Sequence, residues 1–376
     1  MSTQRICLLI ALLGMFLASC DKKVDNMCVV KGSVDNPSLN GSTVYMIDYQ
    51  HKNRYAPEAI DSALIENGRF LFQDSVKNPV CRYLYVSNND IRLGSDMFVE
   101  EGVVKINLSN GAVSGTKLND RLNEYLVALD EYEVNNKIKE LIKEYNATDN
   151  QSVRDSIDAV YDAVKSEYDA RLSFNADKMY WENADNEFGK YLVYVMIDNC
   201  DLSSKQLEGY LNAEGSILQQ NPTYINKVID RLKNAENTSK GCGYVDFEGV
   251  DFATGETRRL SDIIGGKLAL IDFWASWCGP CKQEVRDNLI RISEKYADEL
   301  VVVGVDVWDK PNDHAKMVQE LGINYPQLID NNNVASKLYG FNYIPMILLV
   351  GNDGVIIERN IRGEQIEKAI KEQFSR

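Results

Sequence analysis

Histidine and proline are scarce in this 376-residue sequence, at 2 and 8 residues, and basic side chains are outnumbered by acidic ones, 41 to 56. A structural zinc site takes four ligands, usually a second CxxC or a histidine pair. The chain has a single CxxC, at Cys278 and Cys281, and no cysteine lies near His314 in sequence, so no metal or cofactor is expected there. The net charge of -15, with no basic patch interleaved with aromatics, argues against a nucleic-acid partner. Low-complexity runs are missing, and 44% apolar with 26% charged residues is the balance of a globular protein. The length predicts two or three domains.

Apolar runs of membrane-spanning length are also missing. The one long apolar stretch, Ile6–Leu17, follows a short segment with a single positive charge and reads as an export signal. It ends in Leu17-Ala18-Ser19-Cys20, just before the charged run Asp21-Lys22-Lys23. Small residues before a cysteine resemble the lipobox of bacterial lipoproteins. That resemblance implies that residues 1–19 are removed, that Cys20 is lipidated, and that residues 20–26 form a tether. The alternative is an ordinary signal peptide. Several acyl chains anchor stably where one does not. The expectation is a protein outside the cytoplasm, lipid-anchored to a bacterial membrane and facing the periplasm. In an oxidising compartment, Cys28, Cys81, Cys200 and Cys242 allow three pairings. Cys28 and Cys81 share a predicted domain and are candidates to pair; four buried thiols are the other reading.

Residues 27–112 read as short strands rich in β-branched and aromatic residues: 27–34, 43–48, 60–65, 69–72, 82–86 and 103–108. Asn67-Gly68 signals a hairpin turn. A small all-β, sandwich-like domain is expected. From 113 to 236 the apolar spacing turns helical, with Leu118, Leu122, Tyr125 and Leu126 the first set and 152–172 a charged helix. Asn221-Pro222 marks the start of the last helix of this region, and 237–242 reads as a linker. Residues 243–376 alternate strand and helix, which predicts an α/β unit with a mixed, largely parallel sheet.

Trp277-Cys278-Gly279-Pro280-Cys281 falls between the apolar strand 268–273 and a helix marked by Val285, Leu289, Ile292 and Tyr296. Cys278 therefore lies at the helix N-terminus, where free N–H groups and the dipole stabilise a thiolate. Gly279-Pro280 suits the first turn and lets Cys281 reach back. Cys278 is expected to be the exposed attacking thiol and Cys281 the resolving thiol. His314 is read as a solvated loop residue.

The segment from Ile271 to Lys282, IDFWASWCGPCK, resembles the active site of thioredoxin-fold proteins, in the thiol:disulfide interchange family related to TlpA and ResA. Leu260-Ser261-Asp262, Tyr339-Gly340, Ile344-Pro345 and Gly354 support the likeness. The front half resembles the variable regions of lipoproteins of Bacteroidetes type. The resemblance implies a thioredoxin fold for 243–376, with Pro345, after Ile344, as the cis-proline beside the dithiol. It implies Asp272 as a buried proton shuttle for Cys281, and Trp274 and Trp277 as shields of the site. It also implies reduction of disulfides in exported proteins, electrons from a membrane thiol relay, and apocytochrome c among the substrates by analogy with cytochrome c-type biogenesis. An oxidase or isomerase using the same dithiol, or a scaffold lipoprotein with vestigial redox activity, are the alternatives.

Three departures from the family pattern stand out. The strand 301–307 has no lysine to face Asp272, and Asp306 is either a second acid nearby or a surface residue. Arg286 replaces a helix-kinking proline. Met346 follows Pro345 where threonine is commoner.

Overall fold

The computed structural model describes residues 26–51, 58–88, 91–330 and 332–375. The expected signal segment and Cys20 lie outside the described residues. The chain divides into two compact units. One ends at Asp201 and takes in Ala213–Gln220; the other comprises Leu202–Asn212 and Asn221–Arg376.

In the first unit, β1 (Met27–Ser33), β2 (Thr43–Asp48), β3 (Ala59–Leu64), β4 (Arg69–Ser75), β5 (Val80–Asn88), β6 (Ile91–Val99), β7 (Gly102–Asn107) and β8 (Val113–Ser114) build two four-stranded sheets. Their orders are β4-β1-β7-β8 and β3-β2-β5-β6. The Asn67-Gly68 turn forms with both residues at positive φ, 52° and 71°. Strand β6 escaped the sequence reading because Gly94-Ser95-Asp96 interrupts its apolar pattern. Gly94 is required there, since a Cβ would sit 2.1 Å from the Tyr83 hydroxyl. Four helices follow: α1 (Lys117–Leu129), α2 (Glu131–Asn146), α3 (Gln151–Glu182) and α4 (Glu187–Asn199). The N-terminus of α1 is capped from a distance, by the buried Glu100 carboxylate accepting from Leu118 N, Asn119 N and the Thr116 hydroxyl. Cys28 and Cys81 lie on strands of different sheets, and among the described residues the four non-motif cysteines, Cys28, Cys81, Cys200 and Cys242, are free thiols.

The second unit begins earlier than composition suggests. Helices α5 (Ser204–Leu211) and α6 (Thr223–Asn237) belong to it, and the segment expected to be a linker is packed. Thr238 is fully buried; its hydroxyl donates to the Tyr339 carbonyl, and Arg359 donates to its carbonyl. Gly340, at φ 63°, lets α6 approach this closely, because a Cβ there would lie 2.2 Å from the Arg231 carbonyl oxygen.

The remaining elements are β9 (Glu248–Asp251), β10 (Thr257–Arg259), α7 (Leu260–Ile264), β11 (Leu268–Trp274), α8 (Gly279–Glu284), α9 (Ile290–Lys295), β12 (Leu300–Asp306), α10 (Pro311–Leu321), β13 (Gln327–Ile329), α11 (Val334–Leu338), β14 (Met346–Val350), β15 (Ile356–Arg359) and α12 (Glu364–Phe374). They form a thioredoxin fold around a seven-stranded sheet of order β10-β9-β13-β12-β11-β14-β15. Only β11, β12 and β13 run parallel, so the expectation of a largely parallel sheet is corrected. β9 and β14 join this core antiparallel through long connections, and the hairpins β9-β10 and β14-β15 complete the two edges. One face packs on α7 and α11 through Leu260, Ile264 and Ala335; the other packs on α9 and α12 through Ile292, Ile366 and Ile370.

Candidate active site

Strand β11 is buried along its whole length, and its side chains alternate between the two faces. Ala269, Ile271 and Phe273 join the core on the α7 side, and Leu268 and Leu270 join the core under α9. By the same alternation, Asp272 and Trp274 point to the side that carries the cysteines.

Cys278 is the N-cap of α8, and its Sγ accepts from the Cys281 backbone N–H at 3.2 Å. The two cysteines are joined as a disulfide with 5.3 Å between Cα atoms. Pro280 occupies the first helical turn, as the Gly-Pro spacing predicts. Cys278 is only 5% exposed and Cys281 is fully buried, so the picture of an openly exposed attacking thiol is corrected to a sliver of access. The helix continues past Glu284 through a π turn over Val285–Leu289 before α9 resumes. The extra residue of a π turn re-aims a helix without proline, which accounts for Arg286 at that position.

Ser276 is gripped by Asp309, whose Oδ2 accepts from the Ser276 N–H at 2.5 Å and whose Oδ1 accepts from the hydroxyl at 2.9 Å. Trp277 is 60% exposed and donates its Nε1–H to the Trp308 carbonyl. Trp274 is fully buried, and its indole N–H donates to Gln327 Oε1 at 2.9 Å. The two tryptophans thus differ: Trp274 is core, and Trp277 is a surface lid beside the cysteines. Ile344–Pro345 is a cis peptide, and the Pro345 carbonyl accepts from the Arg362 guanidinium. Ile344 packs in the cluster that holds Trp274, Cys278 and Cys281, and Met346 is buried core.

Asp272 is fully buried, and neither carboxylate oxygen has a hydrogen-bond partner among the described residues. Burial pushes its carboxyl up to about 8; the negative charge of Glu284 adds to this and the Arg362 guanidinium opposes it. The Glu284 carboxylate is held by the Gly363 N–H at 3.1 Å and by Asn288. Sequence reading passed over Glu284, although it lies three residues beyond Cys281 and so shares a helix face with it. Tyr325, Gln327 and Arg362 were missed as well, because they reach the site from distant elements.

His314 corrects an expectation, and Asp306 takes the first of the two places left open for it, a second acid nearby. Asp306 is 2% exposed at the end of β12, opposite Trp274 in the β11 register, and His314 on α10 is fully buried instead of solvated. The imidazole lies between the rings of Trp274 and Phe252, at 5.1 and 5.3 Å between centroids. Burial holds His314 down to about 4 and pushes Asp306 up to about 8, so their 3.5 Å approach joins two neutral groups at pH 7.

Residues 241–359 match the AhpC/TSA family model, and residues 28–122 match the model described as a domain of unknown function (DUF4369). The second unit therefore carries an AhpC/TSA thioredoxin-like domain. The thiol:disulfide interchange protein HelX of Rhodobacter capsulatus is 32% identical over 115 residues, 30% of this chain and 62% of that protein. The thiol-disulfide oxidoreductase ResA of Bacillus thuringiensis subsp. konkukian is 27% identical over 123 residues, 32% of this chain and 69% of that one. Among solved structures, the thioredoxin domain of a Bacteroides vulgatus thiol-disulfide oxidoreductase is 24% identical, covers 36% of this chain and 96% of that domain, and has a TM-score of 0.34.

Proposed function

We propose that this chain is an extracytoplasmic thiol-disulfide oxidoreductase that reduces disulfides of exported proteins. The observation that carries the reading is the Cys278–Cys281 pair at a helix N-cap, with the buried Asp272 carboxyl behind it. In the dithiol form, the Cys281 N–H and the helix N-terminus favour the Cys278 thiolate. That thiolate attacks one sulfur of a substrate disulfide, and the other substrate sulfur leaves as a thiolate and takes up a proton. Cys281 then gives its proton to the Asp272 carboxylate and attacks Cys278 Sγ. The second substrate sulfur departs as a thiolate and takes up that proton from Asp272, and two electrons have passed from the dithiol to the substrate. A carboxyl near 8 is close to thiol basicity, so this proton transfer is nearly balanced.

Return to the dithiol requires a reductant, for which a membrane thiol relay is the fitting class. Cys20 as a lipidated anchor would hold the protein beside it. That part of the proposal rests on the Leu17–Cys20 segment; no described helix is long and apolar enough to cross a membrane.

Two measurements test the reading. The reduction potential of the Cys278–Cys281 couple is expected near about -270 mV, whereas a value near about -120 mV would make it an oxidant. Cys281→Ala is expected to accumulate mixed disulfides through Cys278 with exported proteins. Absence of any adduct, together with no insulin-reducing activity in the wild-type chain, would remove the enzyme reading.

A further inference from the structure

Beside Trp274 lies a group of side chains to which the exchange reaction assigns no chemical step. His314, Asp306 and Asp309 each present a ligand-type atom, and these atoms all lie within 4.8 Å of one another. The first two are buried to 0% and 2% exposure, and Asp309 is half-buried. Neither ring nitrogen of His314 has a hydrogen-bond partner among the described residues, nor does Asp306 Oδ1. A buried polar atom left without a partner costs about 1–3 kcal/mol, and one His314 nitrogen and an Asp306 oxygen can turn to one spot here.

The geometry points to a binding site for a divalent transition-metal ion of the zinc class, formed by His314, Asp306 and Asp309. The separation of His314 Nδ1 from Asp306 Oδ2, 3.5 Å, is long for a hydrogen bond. It suits two ligands of one ion, since bonds of about 2.0–2.1 Å at a tetrahedral centre put neighbouring ligand atoms roughly 3.3 Å apart. One imidazole with two carboxylates is a borderline-to-hard donor set that fits Zn²⁺ and not a thiophilic ion. Asp309 already accepts at Oδ1 from the Ser276 hydroxyl and Lys310 N and at Oδ2 from Ser276 N, so Oδ2 retains a lone pair for an ion. Those bonds also hold its carboxylate in place, as a supporting contact does for a metal ligand. The ion would satisfy the orphaned imidazole and carboxylate together and leave a fourth position open on the Asp309 side.

The test uses the full-length chain with the Cys278–Cys281 disulfide intact, so that the dithiol does not compete. Titration with Zn²⁺ after chelator treatment should show saturable binding. The X-ray absorption fine structure of the zinc-loaded protein should show nitrogen and oxygen ligands, one imidazole and no sulfur. His314→Phe, which keeps an aromatic ring between Trp274 and Phe252, should weaken binding by more than the roughly 10–100-fold typical of losing a supporting contact. Absence of saturable Zn²⁺ binding, sulfur in the zinc shell, or equal affinity in His314→Phe would each overturn the site. The absorption measurement on the wild-type protein does not depend on the variant folding.

Discussion

After burial itself, the negative charge of Glu284 is what holds the Asp272 carboxyl up at about 8. The two residues come from different elements, β11 and α8, and the helix that carries the glutamate also carries the dithiol. The Asp272 carboxyl is thus tuned by the segment that presents Cys281.

Glu284→Gln should lower the Asp272 titration by about 1 unit, since a nearby like charge disfavours the ionised form. Carbon-13 NMR of the Asp272 carboxyl, assigned by its disappearance in Asp272→Asn, would read the shift. An unmoved titration would mean that Glu284 does not act on Asp272.

Asp272→Asn should slow resolution of the mixed disulfide by roughly 100-fold at pH 7, the usual worth of a positioned acid–base group. It should also flatten the dependence of stability on pH. The folded-state carboxyl is raised from 3.8 to about 8, so the folded protein holds a proton that the unfolded chain has lost across that window. Stability therefore falls as pH rises from about 4 to 8, and the asparagine variant escapes that loss. Urea unfolding at both pH values should show the variant gaining on wild type at the alkaline end by about 5 kcal/mol. Part of the dependence should persist, because Asp306 is raised in the same direction.

Trp274→Phe removes the indole donor that reaches Gln327 Oε1 at 2.9 Å inside the core. Stability should fall by about 1–3 kcal/mol, the cost of a buried acceptor left unpaired. Unfolding monitored by circular dichroism would check this, and an unchanged midpoint would contradict the role given to that bond.

A fragment beginning at residue 221 should be more stable than one beginning at 243. The longer piece keeps α6 with Thr238, whose hydroxyl and carbonyl join Tyr339 and Arg359, and Asn234, which donates to the Lys337 carbonyl. Losing these should cost at least about 2 kcal/mol, given about 1 kcal/mol for each hydrogen bond. Equal melting temperatures would show α6 to be dispensable.

Much of the site was legible in the chain. A CxxC with Gly-Pro between its cysteines, following an apolar strand and preceding a 3.6-period apolar stripe, places a thiol at a helix start by local geometry alone. Cys278 duly forms the N-cap, and the Asn67-Gly68 and Asn221-Pro222 signals mark a turn and a helix start where expected. Asp272 stood out through the family resemblance, and the otherwise apolar strand around it agreed with burial. The boundary at residue 237 was misplaced because α6 has a charged face and a polar end, and its anchors in the second unit lie about 100 residues away in sequence.

Local order and the placing of the cysteine pair at a helix start follow from spacing and periodicity, which act over a few residues. Burial does not, because it is set by everything that packs around a side chain. His314 read as a surface group until Phe252, Trp274 and α10 close over it, and Asp306 was left open between surface and interior. Cys278 read as open until the fold left it 5% exposed. Only the assembled sheet brings Glu284 and Arg362 to bear on Asp272, and that arrangement sets when its carboxyl holds a proton.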